Sequence, residues 1–309
     1  MNPKDLCISV IITSYNQKSY LIEAIESVIN QTVKPHEIII VDDHSTDDKS
    51  IEIIREYVAR YPTLIKAIFQ EKNVGIPKNR NTALHKVTGN YVAILDGDDR
   101  FLPDKVETEL AALRQHPAVQ CIYSNVRYID AGGQVLGVRD QEEQPSGDTF
   151  VHVARGKFGL LRSMLIDYLF LREVGFLDER LPSYDGFELT VRLAKQGRFA
   201  YVAESLVECR IHSVSYQTKI TAKDHLHDLR AIYEKILPWL AGLAFTERRK
   251  VVKAWQEWFL RFRLRETAEQ RNRLKSYLTI FLAIASNRVR WEELRQITVA
   301  EVPGLWPFS

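Results

Sequence analysis

The chain reads Gly89-Asn90-Tyr91-Val92-Ala93-Ile94-Leu95-Asp96-Gly97-Asp98-Asp99 at the point that decides its fold. Residues 91–95 predict a buried strand, and three aspartates crowd the turn that follows it. Like charges this close repel one another, and a buried carboxylate without a partner is costly. A divalent cation would relieve the repulsion, and oxygen ligands of this kind suit Mg²⁺ or Mn²⁺. A solvated acidic turn that binds no metal would have the same composition, so the rest of the chain must decide between a metal site and a solvated turn.

Apolar strands alternate with amphipathic helices over the first 125 residues. Strands are predicted at 7–12, 36–41, 64–69, 91–95 and 119–123, and helices at 20–29, 47–60, 77–86 and 103–115. This order predicts an α/β fold with a mostly parallel sheet flanked by helices, Rossmann-like in its first half. Ligands of such sheets bind beyond the carboxyl ends of the strands, so residues 13–16, 42–43 and 96–99 are expected along one rim.

The alternation lapses after residue 125. Residues 125–138, with Gly132-Gly133 between β-rich arms, predict a hairpin, and the polar residues 141–148 predict a mobile loop. A helix near 187–196 and strands near 199–202 and 206–211 follow, and from about residue 223 the pattern is helical only. We therefore expect one domain over residues 1–220 and a C-terminal helical region over residues 221–309.

Composition excludes several classes of protein. The chain has 309 residues, a net charge of +2 and three widely spaced cysteines, which give no sign of a disulfide framework. An apolar signal core and a run of about 20 apolar residues are both lacking, which predicts a cytoplasmic protein. Residues 246–295 carry 13 Lys and Arg against 6 Asp and Glu, interleaved with aromatic residues.

This basic, aromatic segment has two interpretations. We favour a helical appendage that packs its aromatic stripe on the catalytic domain or on a second subunit of a homo-oligomer. The alternative is peripheral contact of residues 246–295 with the inner face of a membrane, where cations meet anionic lipid. Nucleic acid is not expected as a partner, because no recognition module accompanies the basic residues.

Taken together, the motifs resemble the family 2 glycosyltransferases with the GT-A fold. The resemblance is carried, in chain order, by residues 9–16, 24–32, 37–47, 73–75, 79–81 and 89–99, and continues more weakly through 174–179 to about residue 218. It implies a nucleotide-sugar donor, a divalent metal and inversion at the anomeric carbon. It also implies a nucleotide-binding half at about 1–125 and an acceptor half at about 126–220.

The resemblance also assigns a role to each aspartate of the acidic turn. The resemblance makes Asp98 the direct metal ligand, places Asp96 at the ribose, and lets Asp99 support the metal shell or the sugar. The metal would stabilise the charge that grows on the departing diphosphate. His212, in a distal Arg-x-His-x-x-Ser element, is expected to complete the metal shell or contact the diphosphate, with Lys219 adding positive charge.

Five further residues match positions that hold the nucleotide. Thr13, Tyr15 and Asp43 are expected at the nucleoside, where Tyr15 can stack on a base. Asp43 can accept a hydrogen bond from an imide N–H, which uracil and thymine possess and cytosine lacks, so UDP or dTDP is favoured. Lys78 and Arg80 are expected near the diphosphate.

Inverting transfer also needs a general base for the acceptor hydroxyl. The family's acid pair before a helix corresponds to Tyr184-Asp185 here, so the first acid is missing and Asp185 is the expected base. Glu188, one helical turn later, is the rival and can instead cap the helix or bind the acceptor.

The expected function is a metal-assisted glycosyltransferase that acts on a glycan or lipid-linked acceptor in cell-surface polysaccharide biosynthesis. One alternative is a noncatalytic sugar-nucleotide-binding or scaffold protein, which loss of the acids would favour. The other is a metal-dependent nucleotidyltransferase, which should carry a Gly-rich basic loop after the first strand; residues 13–17 lack one.

Overall fold

The computed structural model describes residues 6–47, 49–140, 142–156, 161–212 and 220–269. The chain divides into two compact units, Met1–Phe150 with Phe158–Ser213, and Val151–Lys157 with Val214–Ser309. Lys219 and the residues from 270 onward, which include part of the predicted basic segment, lie outside the described residues.

The first unit is built on a single large sheet. Its strands are β1 (Ile8–Ser14), β2 (Glu37–Asp42), β3 (Ile65–Phe69), β4 (Tyr91–Asp96), β5 (Arg100–Phe101), β6 (Cys121–Ile129), β7 (Val135–Val138), β8 (Met164–Asp167) and β9 (Phe199–Arg210). The helices are α1 (Leu21–Ile29), α2 (Lys49–Arg60), α3 (Ile76–Leu84), α4 (Lys105–Gln115), α5 (Phe150–Ala154), α6 (Tyr168–Val174) and α7 (Asp185–Gln196), with α5 crossing into the second unit.

The strand order is β3-β2-β1-β4-β8-β6-β9-β5, and β7 pairs with β6 outside this path. Strands β3, β2, β1 and β4 run parallel to one another, whereas β8 is antiparallel to both of its neighbours, β4 and β6. The predicted α/β fold, mostly parallel and flanked by helices, is therefore confirmed. The second half of the sheet is mixed in direction, because β8 reverses the direction there.

Burial explains why the first half forms so regularly. In β1, Val10, Ile11 and Ile12 are fully buried, and every residue of β2 is buried. The apolar residues of α1 recur at three- and four-residue intervals, so one face of the helix is buried against the sheet. The strands therefore converge with their carboxyl ends at one edge, where the acidic turns lie.

The second half differs from expectation in one strand. The two short strands predicted at 199–202 and 206–211 form the single strand β9. Its pairing with β6 shifts register around Ser124 and Asn125. Because of this irregularity, the strand continues through the exposed Glu204 without a break. The predicted hairpin is confirmed: β6 and β7 join through a turn in which the Asp130 carboxylate accepts hydrogen bonds from the N–H groups of Gly132 and Gln134.

The second unit contains α8 (Ala222–Leu240) and α9 (Phe245–Glu269). Trp255 of α9 is 1% exposed, and its indole N–H donates to the Ala154 carbonyl at 2.7 Å. The Trp255 ring also contacts the rings of Tyr233 and Phe259. These described aromatic rings thus contact one another and Ala154, which belongs to the same compact unit. The docking of the stripe on the catalytic domain or on a second subunit stays a prediction. None of the described helices is both long and apolar enough to cross a bilayer.

A buried carboxylate fixes the start of β2. Glu37 is 2% exposed and accepts hydrogen bonds from the Ser9 hydroxyl, the Lys66 ammonium, and both the N–H and the hydroxyl of Thr88. Burial alone would raise the pKa of Glu37, but the hydrogen bonds outweigh it and lower the pKa to about 2.

Replacing Glu37 with Gln is therefore expected to destabilise the fold in a pH-dependent way. A folded-state pKa below the unfolded value of 4.5 means that the stabilisation is present above that value and is lost as the pH falls toward 2. We expect the variant to lose about 2 kcal/mol of unfolding free energy at pH 7. Urea unfolding at pH 7, 5 and 3 should show that the difference in unfolding free energy between wild type and Glu37→Gln becomes smaller as the pH falls. The control Glu107→Gln, at an exposed position, should show no such trend.

Candidate active site

The ends of three neighbouring strands bring the predicted rim together. Thr13 of β1 lies opposite Asp96 of β4 in the parallel register, and its hydroxyl donates to the Asp96 carboxylate at 3.1 Å. Asp42 ends β2 on the other side of β1. Tyr15 follows β1 directly, and its side chain is 44% exposed, so the ring is accessible to a ligand at the rim.

Asp43 anchors the start of α3. Its buried carboxylate accepts hydrogen bonds from the N–H groups of Val74 and Gly75 at 2.7 and 3.0 Å. Burial raises the pKa of Asp43, and the two hydrogen bonds oppose that rise. Gly75 has a φ of +86°, which a residue with a side chain rarely adopts, so the loop before α3 is fixed by both residues.

Two carboxylates from distant parts of the chain meet at Arg80 on α3. One guanidinium nitrogen donates to Asp185 at 2.7 Å and another donates to Asp96 at 2.5 Å. The Arg80 side chain is 10% exposed, so this double ion pair is largely removed from water. The guanidinium, expected near a diphosphate, thus joins two acids, while Lys78 on the same helix is exposed.

Asp99 is held by a residue that sequence reasoning missed. Arg162, on a short 3₁₀ turn Leu161–Ser163, donates to Asp99 at 2.6 Å and lies 3.2 Å from Asp96. Burial raises the pKa of Asp99, Arg162 lowers it, and the neighbouring Asp98 and Asp96 carboxylates raise it further. The available signal was indirect: several acids converging on one buried rim require counter-charges from elsewhere.

Asp98 has a different environment from the other acids. Among the described residues it is the carboxylate of this cluster that forms no ion pair with an arginine. Its partner is His212, whose Nε2 lies 2.9 Å from an Asp98 oxygen. The His212 Nδ1 is buried and has no hydrogen-bond partner within the described part of the chain. The Asp98 oxygen and His212 Nε2 are therefore two potential metal-ligating atoms that lie side by side.

The described residues do not form a larger metal site from protein groups alone. Across the described ranges, no group of three or more His, Cys, Asp or Glu side chains is arranged to hold a metal ion. Asp98 and His212 would supply two donors, and the remaining positions of a Mg²⁺ or Mn²⁺ ion would fall to ligand oxygens and water.

Asp185 is the first residue of α7 and is buried. Burial raises its pKa, while the Arg80 guanidinium and the Gly186 N–H lower it. Glu188 lies one turn later in a separate network, in which its carboxylate accepts from the Arg192 guanidinium at 2.8 to 3.0 Å. Arg192 in turn donates to the carbonyls of residues 174–176, so Glu188 helps to hold the loop before α7.

The structure therefore connects Thr13, Arg80, Asp96, Asp99 and Asp185 through direct contacts that include Arg162. Asp98 and His212 pair beside them. Tyr15, Asp43 and Lys78 stand at the same strand ends or on α3 without joining that network, and Glu188 belongs to the Arg192 network.

Solved structures share this fold. The structure of Staphylococcus aureus TarS residues 1–349 in complex with UDP-GlcNAc superposes with a TM-score of 0.65 at 17% identity, covering 88% of this chain and 89% of that one. The class defined by the sheet and its rim is the GT-A glycosyltransferase fold.

Sequence relatives identify the family. The profile of glycosyl transferase family 2 matches residues 9–168. An uncharacterised glycosyltransferase of Methanocaldococcus jannaschii is 31% identical over 206 residues, which is 66% of this chain and 70% of the relative. Chondroitin synthase of Escherichia coli is 36% identical over 129 residues, 42% of this chain but 18% of that protein. The chain belongs to glycosyltransferase family 2 and is a transferase.

Proposed function

We propose that this transferase moves a sugar from a UDP- or dTDP-linked donor to a hydroxyl of a glycan or lipid-linked acceptor, with inversion and with help from a divalent cation. The observation that carries the proposal is the Asp98–His212 pair: among the described residues the Asp98 carboxylate forms no ion pair with an arginine, while the acids around it do. The TarS structure with UDP-GlcNAc supports a nucleotide-sugar donor.

The chemistry of the pair fits a cation. The Asp98 carboxylate oxygen and His212 Nε2 are in hydrogen-bond contact at 2.9 Å. A carboxylate oxygen and an imidazole nitrogen are both groups that ligate divalent cations. A bound Mg²⁺ or Mn²⁺ would supply positive charge for the diphosphate as it departs.

The protein's own groups account for the remaining steps. The bond between the anomeric carbon and the diphosphate oxygen breaks while a bond to the acceptor oxygen forms, and the acceptor proton passes to the Asp185 carboxylate. Arg80 favours the ionised form of Asp185, which is the form that can accept a proton. Thr13 and Arg80 fix Asp96, which we place at the ribose.

Broader assignments follow the same reasoning. We propose residues 1–220 as the catalytic domain and 221–309 as the helical region. The division into two compact units supports two parts of about this size, but it assigns residues 151–157 and 214–220 to the second unit. The similarity to a chondroitin synthase supports a polysaccharide acceptor. A noncatalytic scaffold is disfavoured because Asp96, Asp98, Asp99 and Asp185 are all retained at the rim.

Calorimetric titration with UDP, dTDP and GDP compounds, with and without Mn²⁺, tests the proposal. We expect Mn²⁺ to tighten binding of a UDP or dTDP compound at least tenfold, and Asp98→Asn to remove that enhancement because one donor loses its charge. Asp104→Asn, at an exposed acid outside the site, is the matched control. Failure of Mn²⁺ and Mg²⁺ to enhance the binding of any of these compounds would contradict the proposal.

A further inference from the structure

We propose that Arg210 is a positioning residue that holds Asp98 and His212 side by side, where both can bind a cation, an inference that rests on the proposed function. Arg210 ends β9, and its side chain is 1% exposed. A buried guanidinium at a ligand rim needs a full set of acceptors, and those of Arg210 come from three separate segments.

The side chain of Arg210 ties these segments together. Its Nε donates to the Asp98 carbonyl at 3.0 Å, which fixes the acidic turn. A second nitrogen donates to the carbonyls of Asp130 and Ala131 at 3.2 and 3.0 Å, in the turn between β6 and β7. The third nitrogen donates to the Glu23 carboxylate of α1 at 2.7 Å.

The main chain of Arg210 adds a further restraint on the same turn. Its N–H donates to the Asp99 carboxylate at 2.8 Å, and His212 follows only two residues later. Arg210 thus contacts the acidic turn through both its main chain and its side chain, and His212 lies just beyond the end of the same strand. The Asp98–His212 separation of 2.9 Å therefore depends on Arg210.

Tyr20 supports both members of this arrangement from the start of α1. The Arg210 guanidinium carbon lies 4.5 Å from the Tyr20 ring centroid, a cation–π distance. The His212 ring centroid is 5.0 Å from the same ring. The aromatic face therefore limits the movement of the guanidinium and the imidazole together.

A lysine at this position would keep the charge and lose the geometry. A compact ammonium cannot reach acceptors on three segments at once, whereas the planar guanidinium does. Groups that orient metal ligands in this way typically contribute a factor of about 10–100 to metal affinity. Arg127 provides a matched control, because its guanidinium pairs with Glu208 in the same charge network and, within the described part of the chain, pairs with none of the rim acids.

The experiment compares Arg210→Lys with Arg127→Lys in the full chain. Free Mn²⁺ is followed by electron paramagnetic resonance at saturating UDP, and UDP affinity is measured separately in EDTA. We expect Arg210→Lys to weaken Mn²⁺ binding about 10–100-fold, to leave UDP affinity in EDTA within about twofold, and to recover UDP binding at high Mn²⁺. Arg127→Lys should leave both affinities unchanged. Tyr20→Leu should weaken Mn²⁺ binding in the same direction, and Tyr20→Phe, which keeps the ring, should not.

Each failure has a separate meaning. Should the wild-type chain with UDP bind no Mn²⁺, the proposed function itself fails. If wild type binds Mn²⁺ and Arg210→Lys binds it equally well, or loses UDP affinity in EDTA to the same extent, the positioning role is overturned. If Arg210→Lys does not fold, Glu23→Gln replaces it, since that change removes the charge of the carboxylate that Arg210 shares with Arg100; unchanged Mn²⁺ affinity in that variant would overturn the inference.

Discussion

Replacing Asp185 with Asn is expected to lower kcat about 10³-fold while leaving the affinity for the nucleotide unchanged. Asn preserves the size of the side chain and its place at the first residue of α7, but it cannot accept the acceptor proton. Asp185 contacts one guanidinium nitrogen of Arg80, while another nitrogen pairs with Asp96 and would keep Arg80 in place, so donor binding should depend little on the charge of Asp185. Steady-state kinetics and calorimetry of the same preparation separate the two effects.

Glu188→Gln is the control that decides between the two candidate bases. Glu188 holds Arg192, which holds the loop before α7, so its replacement should reduce stability and change kcat less than tenfold. A loss of kcat in Glu188→Gln that exceeds the loss in Asp185→Asn would reverse the assignment. If Asp185→Asn kept a kcat near the wild-type value, Asp185 would not be the general base.

The rim could be predicted from the sequence because it depends on local patterns. Apolar strands that end in Thr13, Asp42 and Asp96 must place those residues together once the strands are parallel neighbours. The helix predicted near 187–196 forms as α7, which begins two residues earlier, at Asp185; the family resemblance, and not a local signal, had selected Asp185. Strand pairing across an irregular register, as in β9, has no such signal, and the single strand was predicted as two.

The counter-charges could not be predicted, because each depends on contacts between remote segments. Arg162 meets Asp96 and Asp99 more than 60 positions away, and Arg210 meets Asp98 more than 100 positions away. A lone arginine in sequence is most often a surface residue. The resemblance had already proposed Asp98 as a metal ligand, but only the folded sheet shows that, among the described residues, its carboxylate pairs with a histidine while the neighbouring acids pair with arginines.

Replacing Arg80 with Gln is expected to lower the free energy of unfolding by about 3–5 kcal/mol, because two mostly buried carboxylates lose their shared partner. It should also move the acid limb of the kcat profile to higher pH. Burial already raises the pKa of Asp185 and Arg80 lowers it, so loss of Arg80 raises that pKa further. Since the base works only when ionised, activity should then be lost at a higher pH than in wild type.

A double-mutant cycle separates this charge effect from simple loss of packing. Asn at position 185 needs no counter-charge, so Arg80→Gln should cost less in the Asp185→Asn background than in wild type. Lys78→Gln, at an exposed position on the same helix, is the control and should change stability by less than about 0.5 kcal/mol. Urea unfolding of the four chains gives the coupling energy directly. If the losses of unfolding free energy in the two single variants simply add in the double variant, the Arg80–Asp185 contact at 2.7 Å does not stabilise Asp185. The loss in Arg80→Gln would then come from the contact with Asp96 alone.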